Sequence, residues 1–137
     1  MPSKKSIKAA LPSNHDTERF DVLYPLLQQQ LLEIRELSKR KQDVQLNKLK
    51  VDMINRVLSE LKTLLAGQPM DEFLALLDSE TLPTNSDAVL VLAQFLTASQ
   101  QCKSTYYRFD EEQHEWRWST KENPIRKLGN AWSPSDD

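Results

Sequence analysis

Few residues in this 137-residue chain have the types and spacing that chemistry requires. His15 and His114 are the only histidines, and neither has ligand-spaced neighbours. Metal binding needs several donors converging on one point, so no metal site is expected from them. Cys102 is the single cysteine, which rules out an internal disulfide and a thiolate cluster built from one chain. It falls on the apolar side of a helical pattern, where a thiol acts as a small core residue rather than a nucleophile needing a nearby base. The carboxylates of Asp110, Glu111, Glu112 and Glu115 are crowded together, and a run of this kind reads as a solvated turn. Phosphate cradling needs glycine-rich loops, and Gly67 and Gly129 stand alone, with no Lys-Ser or Lys-Thr signature beside them. The reading is therefore of a non-enzymatic protein with no cofactor, no metal and no evident small-molecule substrate.

Two sets of side chains remain that can meet a partner. Tyr106, Tyr107, Phe109, Trp116, Trp118 and Trp132 place six aromatics in the last third of the chain. Aromatics anchor protein interfaces because each brings a large apolar area with few rotamers to freeze. Core packing is the competing use for these side chains, and base stacking with Arg108 and Arg117 against phosphates is a third. The second set is Lys39, Arg40 and Lys41, with Lys48 and Lys50 beyond them. Cations at a hairpin tip can hold phosphates or an acidic protein surface, or simply keep a loop solvated. Helix-turn-helix recognition is not supported, because the following helix is broadly apolar and lacks a row of Arg, Asn or Gln for base edges.

The bulk balance agrees with this restraint. Formal net charge is −2, so the molecule lacks the positive field of a general nucleic-acid binder. Residues 1–66 carry twelve Lys and Arg against eight Asp and Glu, whereas residues 67–137 carry six against twelve. The halves are oppositely charged, at +4 and −6. With 28% charged residues and two glycines, the composition favours long helices. The first ten residues contain no apolar run of a secretory signal, and no stretch reaches the roughly 18–20 apolar residues of a membrane span. The expected setting is cytoplasmic.

The elements that must position these side chains read as an all-α bundle. Residues 1–13 form a mobile basic arm, 14–118 a single helical domain, and 119–137 an irregular or disordered tail. Asn14 or Asp16 is expected to cap a first helix whose apolar positions are Phe20, Leu23, Tyr24, Leu27, Leu31, Ile34 and Leu37. Pro25 within that run predicts a short first turn and then a main helix from about Pro25 to Leu37. Ser38 to Asp43 is the connection of a long helical hairpin. The second helix carries a stripe through Leu46, Leu49, Met53, Ile54, Val57, Leu58, Leu61, Leu64 and Leu65, supported by an Asp52–Arg56 pair and stopped by Gly67. Asp71 to Asp78 predicts a short third helix, and 79–85 a linker ending at Asn85 or Ser86 as cap. A fourth helix, from about Ser86 to Tyr106, is apolar nearly all round and belongs at the centre. Residues 106–118 fit either a hairpin around Asp110–Gln113 or a helix end with an irregular loop, and the aromatic C-terminal segment is taken as irregular.

These stripes exceed what four elements can cover. The expectation is a helical interaction module, an accessory or adaptor subunit of a larger assembly or a homodimer, with nucleic-acid association through the basic tip as the alternative.

Overall fold

The computed structural model describes residues 11–126. Three helices and one two-stranded antiparallel sheet follow in order: α1 Asn14–Arg40, α2 Lys48–Leu64, a single 3₁₀ turn Asp71–Phe73, α3 Asn85–Tyr106, β1 Tyr107–Asp110 and β2 Glu115–Trp118. The all-α, four-helix expectation is thus wrong in two places: the third helix does not form, and the segment written as irregular takes the hairpin, the other of the two options for residues 106–118, which makes the fold not all-α.

α1 begins at a capping box. The Asp16 amide donates to Ser13 Oγ at 3.0 Å, and the Ser13 amide donates back to the Asp16 carboxylate at 3.2 Å. Ser13 is therefore the cap, and Asp16 closes it. Pro25 neither starts nor breaks the helix, which runs through it for 27 residues. The cost of the missing N–H is met because Phe20, Leu23, Leu27, Leu31 and Ile34 are buried on both sides of the proline, so packing holds the two halves in one line. Pro25 itself faces solvent. α1 also continues to Arg40, so Ser38–Arg40 are its last turn and the connection is Lys41–Asn47.

That connection is tied to the start of α3. Asn85 Nδ2 donates to the Lys41 carbonyl at 2.7 Å, the Asn85 amide to Val44 O at 2.9 Å and the Leu46 amide to Pro83 O at 2.9 Å. Thr84 caps α3 through Asp87, one residue before the expected cap. α2 buries Val51, Ile54, Val57, Leu58 and Leu61, while Leu49 and Met53 of the expected stripe stay exposed. On its outer face Asp52 pairs with Lys48 at 3.5 Å, not with Arg56. Gly67 ends the helical run with a φ of 84°, a value that glycine reaches without a Cβ clash.

Asp71–Asp78 fails as a helix for a local reason. Asn55 of α2 takes both backbone groups of Leu77, accepting from its N–H and donating to its carbonyl, each at 2.9 Å. Eight residues cannot repay helix nucleation against that alternative. The segment lies extended beyond Phe73, burying Leu74 and Leu77 and leaving Phe73 and Leu76 outside.

α3 packs chiefly on α1. Its contact face, Ala88, Leu92, Phe95, Ala98, Ser99 and Cys102, alternates small with large side chains, which lets the backbones approach while Phe95 fills the centre. Leu90 is exposed, so α3 is not enclosed on all sides. Residues 119–126 return across the start of α1: the Lys121 amide donates to Pro12 O at 2.9 Å, and the Asn14 amide to Glu122 Oε1 at 2.9 Å. Among the described residues no helix is long and apolar enough to cross a membrane.

Candidate functional site

The hairpin follows directly from α3, because the helix ends where bulky side chains begin to alternate. β1 and β2 pair Tyr107 with Trp118, Arg108 with Arg117, Phe109 with Trp116 and Asp110 with Glu115. Side chains on a strand point alternately to opposite faces, so this register puts Tyr107, Phe109, Trp116 and Trp118 on one face and the charged residues on the other.

The charged face holds the turn. Asp110 accepts from Arg117 Nε at 2.8 Å and from the amides of Glu112 and Gln113 at 2.9 and 3.3 Å. The Arg117 guanidinium, helped by those two amides, holds the Asp110 carboxyl below the usual carboxylate range. Arg117 also donates to the carbonyls of Trp118 and Asn123. His114 closes the turn with a φ of 57°.

The aromatic face is a ladder with a fixed end and a free end. At the fixed end the Trp118 ring meets Phe20 edge-on at 5.1 Å and Tyr107 at 5.6 Å, and its Nε1–H donates to the Asp21 carboxylate at 3.2 Å. Phe20 stacks on Tyr24, and Lys103 Nζ lies 5.3 Å from the Tyr24 ring and 5.0 Å from the Tyr107 ring, within cation–π range. Tyr107 then stacks on Trp116 at 6.1 Å, and Trp116 meets Phe109 edge-on at 5.8 Å. At the free end Trp116 is 61% and Phe109 41% exposed.

Four of the six aromatics picked out from the sequence are therefore gathered on one surface. Tyr106 is not among them: it packs against the core, its hydroxyl 3.4 Å from Gln68 Nε2. Trp132 lies outside the described residues. Phe20, Asp21, Tyr24 and Lys103 were missed as parts of the ladder. The only sequence signal for them was the spacing of Phe20 and Tyr24 on one helix face.

The five basic residues do not act as one patch. Lys39 is paired with Glu36 at 3.1 Å and Lys48 with Asp52 at 3.5 Å. Arg40 and Lys50 line a hollow of about 500 Å³ between α1 and α2, and Lys41 sits in the connection with its carbonyl held by Asn85. Cys102 is buried, and burial pushes its thiol up to about 11, away from nucleophilic use. His15 and His114 are exposed, and among the described residues no three His, Cys, Asp or Glu side chains converge as metal ligands would.

Compared with protein-family models, curated proteins and solved structures, the chain matches none.

Proposed function

We propose that this chain is a non-enzymatic interaction module that docks a protein partner on the free end of the aromatic ladder. The observation that carries the reading is the exposure of Trp116 and Phe109 on a support that is itself fixed. A tryptophan left in water gains most by burial against a partner, and here its orientation is set in advance by Tyr107, Trp118 and Asp21. Preorganisation lowers the entropy lost on docking, so a small patch can serve. The exposed acidic turn Glu111–Glu112, next in the chain after β1, gives the patch a charged border, as interfaces of this kind have.

The test is co-purification from the native host with the wild-type chain and with the double variant Phe109→Ser, Trp116→Ser. Proteins retained by the wild type and lost by a folded double variant are the expected outcome. Identical sets from both, or none from either, would refute the assignment.

A further inference from the structure

A second surface, made of other residues, carries its own conclusion. Between α1 and α2 a groove runs from the hollow of about 500 Å³ beside Arg40 and Lys50 into one of about 320 Å³ beside Arg19 and Arg56. Val22, Leu26 and Met53 form its exposed apolar lip. Gln30 spans the middle, and its Oε1 is buried without a hydrogen-bond partner.

The rim charges are unequal once internal pairs are set aside. Arg19 is spent on Glu60, and Glu36 on Lys39. Arg40, Lys50 and Arg56 form no ion pair with a described residue, and Glu33 is the one rim carboxylate left to oppose them. An occupant of this groove should be apolar in the middle and acidic at its edges.

The chain carries such a segment on its own surface. Residues 71–80 (DEFLALLDSE) contain four carboxylates and no cation, and with Asp71 spent on Lys62 they keep Glu72, Asp78 and Glu80. Phe73 is 65% and Leu76 39% exposed there, the two apolar side chains left over when the third helix fails to form. The segment cannot reach the groove of its own copy. Asn55 and Lys62 hold it on one flank of α2, whereas the groove is lined by Met53 and Arg56, which successive 100° steps place on the far flank.

We propose that copies of this chain associate head to tail, the acidic segment 71–80 of one seated in the α1/α2 groove of the next. The two patches differ, so the contact is heterologous and a twofold axis does not close it. Apolar contact comes from Phe73 and Leu76 against Leu26 and Met53, and steering from the carboxylates against Arg40, Lys50 and Arg56. The patch is small, so association belongs in the micromolar range and weakens with salt.

Sedimentation velocity on the full chain tests this from about 5 to 500 µM, a range chosen to bracket weak association. The wild type should grow in mass with concentration, and less so in high salt. Met53→Glu removes the groove and Phe73→Glu removes the segment, and each exposed-site variant should stay monomeric alone. Mixed, they should form a dimer and stop there, since each supplies the patch that the other lacks. Arg56→Glu and Glu72→Lys, run alongside, should each associate less than the wild type alone and regain association when mixed, since the second reversal restores the charge pairing that the first removes. A wild type that stays monomeric at the highest concentration overturns the proposal. Single variants that still associate, or a mixture that does not, overturn it as well. Phe109→Ser, Trp116→Ser should associate like the wild type, which separates this contact from the ladder's.

Discussion

Replacing either tryptophan of the ladder by alanine removes the same side chain from the same strand, yet the two changes should differ several-fold in cost. Trp118 loses its edge contacts with Phe20 and Tyr107 and its hydrogen bond to Asp21. Each aromatic pair contributes about 0.5–1.5 kcal/mol beyond area, and about 150 Å² of indole returned to water adds up to about 4 kcal/mol before the denatured chain's own compactness is deducted. Partial collapse of the hairpin onto Phe20 brings Trp118→Ala to about 3 kcal/mol, at the low end for tryptophan truncations in cores. Trp116 is 61% exposed and gives up one stacked and one edge contact, each at the low end of that range in so open a position, so Trp116→Ala should cost about 1 kcal/mol. Urea unfolding followed by far-ultraviolet circular dichroism reads both without depending on the removed fluorophore. At a slope of about 2 kcal/mol per molar urea, the midpoint should fall by about 1.5 M for Trp118→Ala and by about 0.5 M for Trp116→Ala. Equal losses, or the reverse order, would refute the idea that the ladder is anchored at Trp118 and free at Trp116.

Acid should unfold the protein through a small set of carboxylates. Arg19 holds Glu60, Lys62 holds Asp71, the Glu80 amide holds Asp78 and Arg117 holds Asp110, all below their ordinary values. A lowered folded-state value adds stability above the unfolded one that is lost as pH falls through it, so urea midpoints should be level from about pH 7 to 5 and drop below about pH 4. Asp110→Asn should flatten part of that drop, and a midpoint unchanged down to about pH 3 would contradict the pairing. Cys102 should resist a thiol reagent such as Ellman's at mildly alkaline pH in the native protein and react fully in urea, because burial both shields it and raises it to about 11. Pro25→Ala should raise the urea midpoint, since it returns a donor to the Asp21 carbonyl at an exposed position within α1; the expected gain is about 1–2 kcal/mol after the lost rigidity of the unfolded chain is deducted.

The limits of the sequence reading follow from the same interactions. α2 was legible because Ile54, Val57, Leu58 and Leu61 repeat at the helical period, although the expected stripe passed over Val51, which is fully buried. Its apparent stripe was too wide, since periodicity records which face a residue is on and not whether another element reaches it; Leu49 and Met53 sit at the edge and stay in water. Pro25 misled in the other direction, because a local penalty of a few kcal/mol was weighed without the burial of Phe20 and Leu23 before it and Leu27 and Leu31 after it. Asp71–Asp78 has helical composition, and what defeats it is one side chain twenty-two residues away, Asn55 on the Leu77 backbone.

The candidate site is harder to read for a deeper form of this reason. Alternation of Trp116 and Trp118 was visible and made a hairpin one of two options, but it treats the two rings alike. They become different only when α1 passes beneath one of them: Asp21 and Trp118 are 97 positions apart, and their contact sets which ring is spent on folding and which is left over. The exposed apolar groups Phe73, Leu76 and Met53 are remainders of the same sort, left by packing elsewhere rather than marked by their neighbours in the chain. A surface built from remainders has no local signature, so its chemistry is found by asking of each exposed apolar side chain what holds it outside. For Trp116 the answer is a rigid ladder, and for Phe73 it is a backbone already claimed by Lys62 and Asn55 on either side.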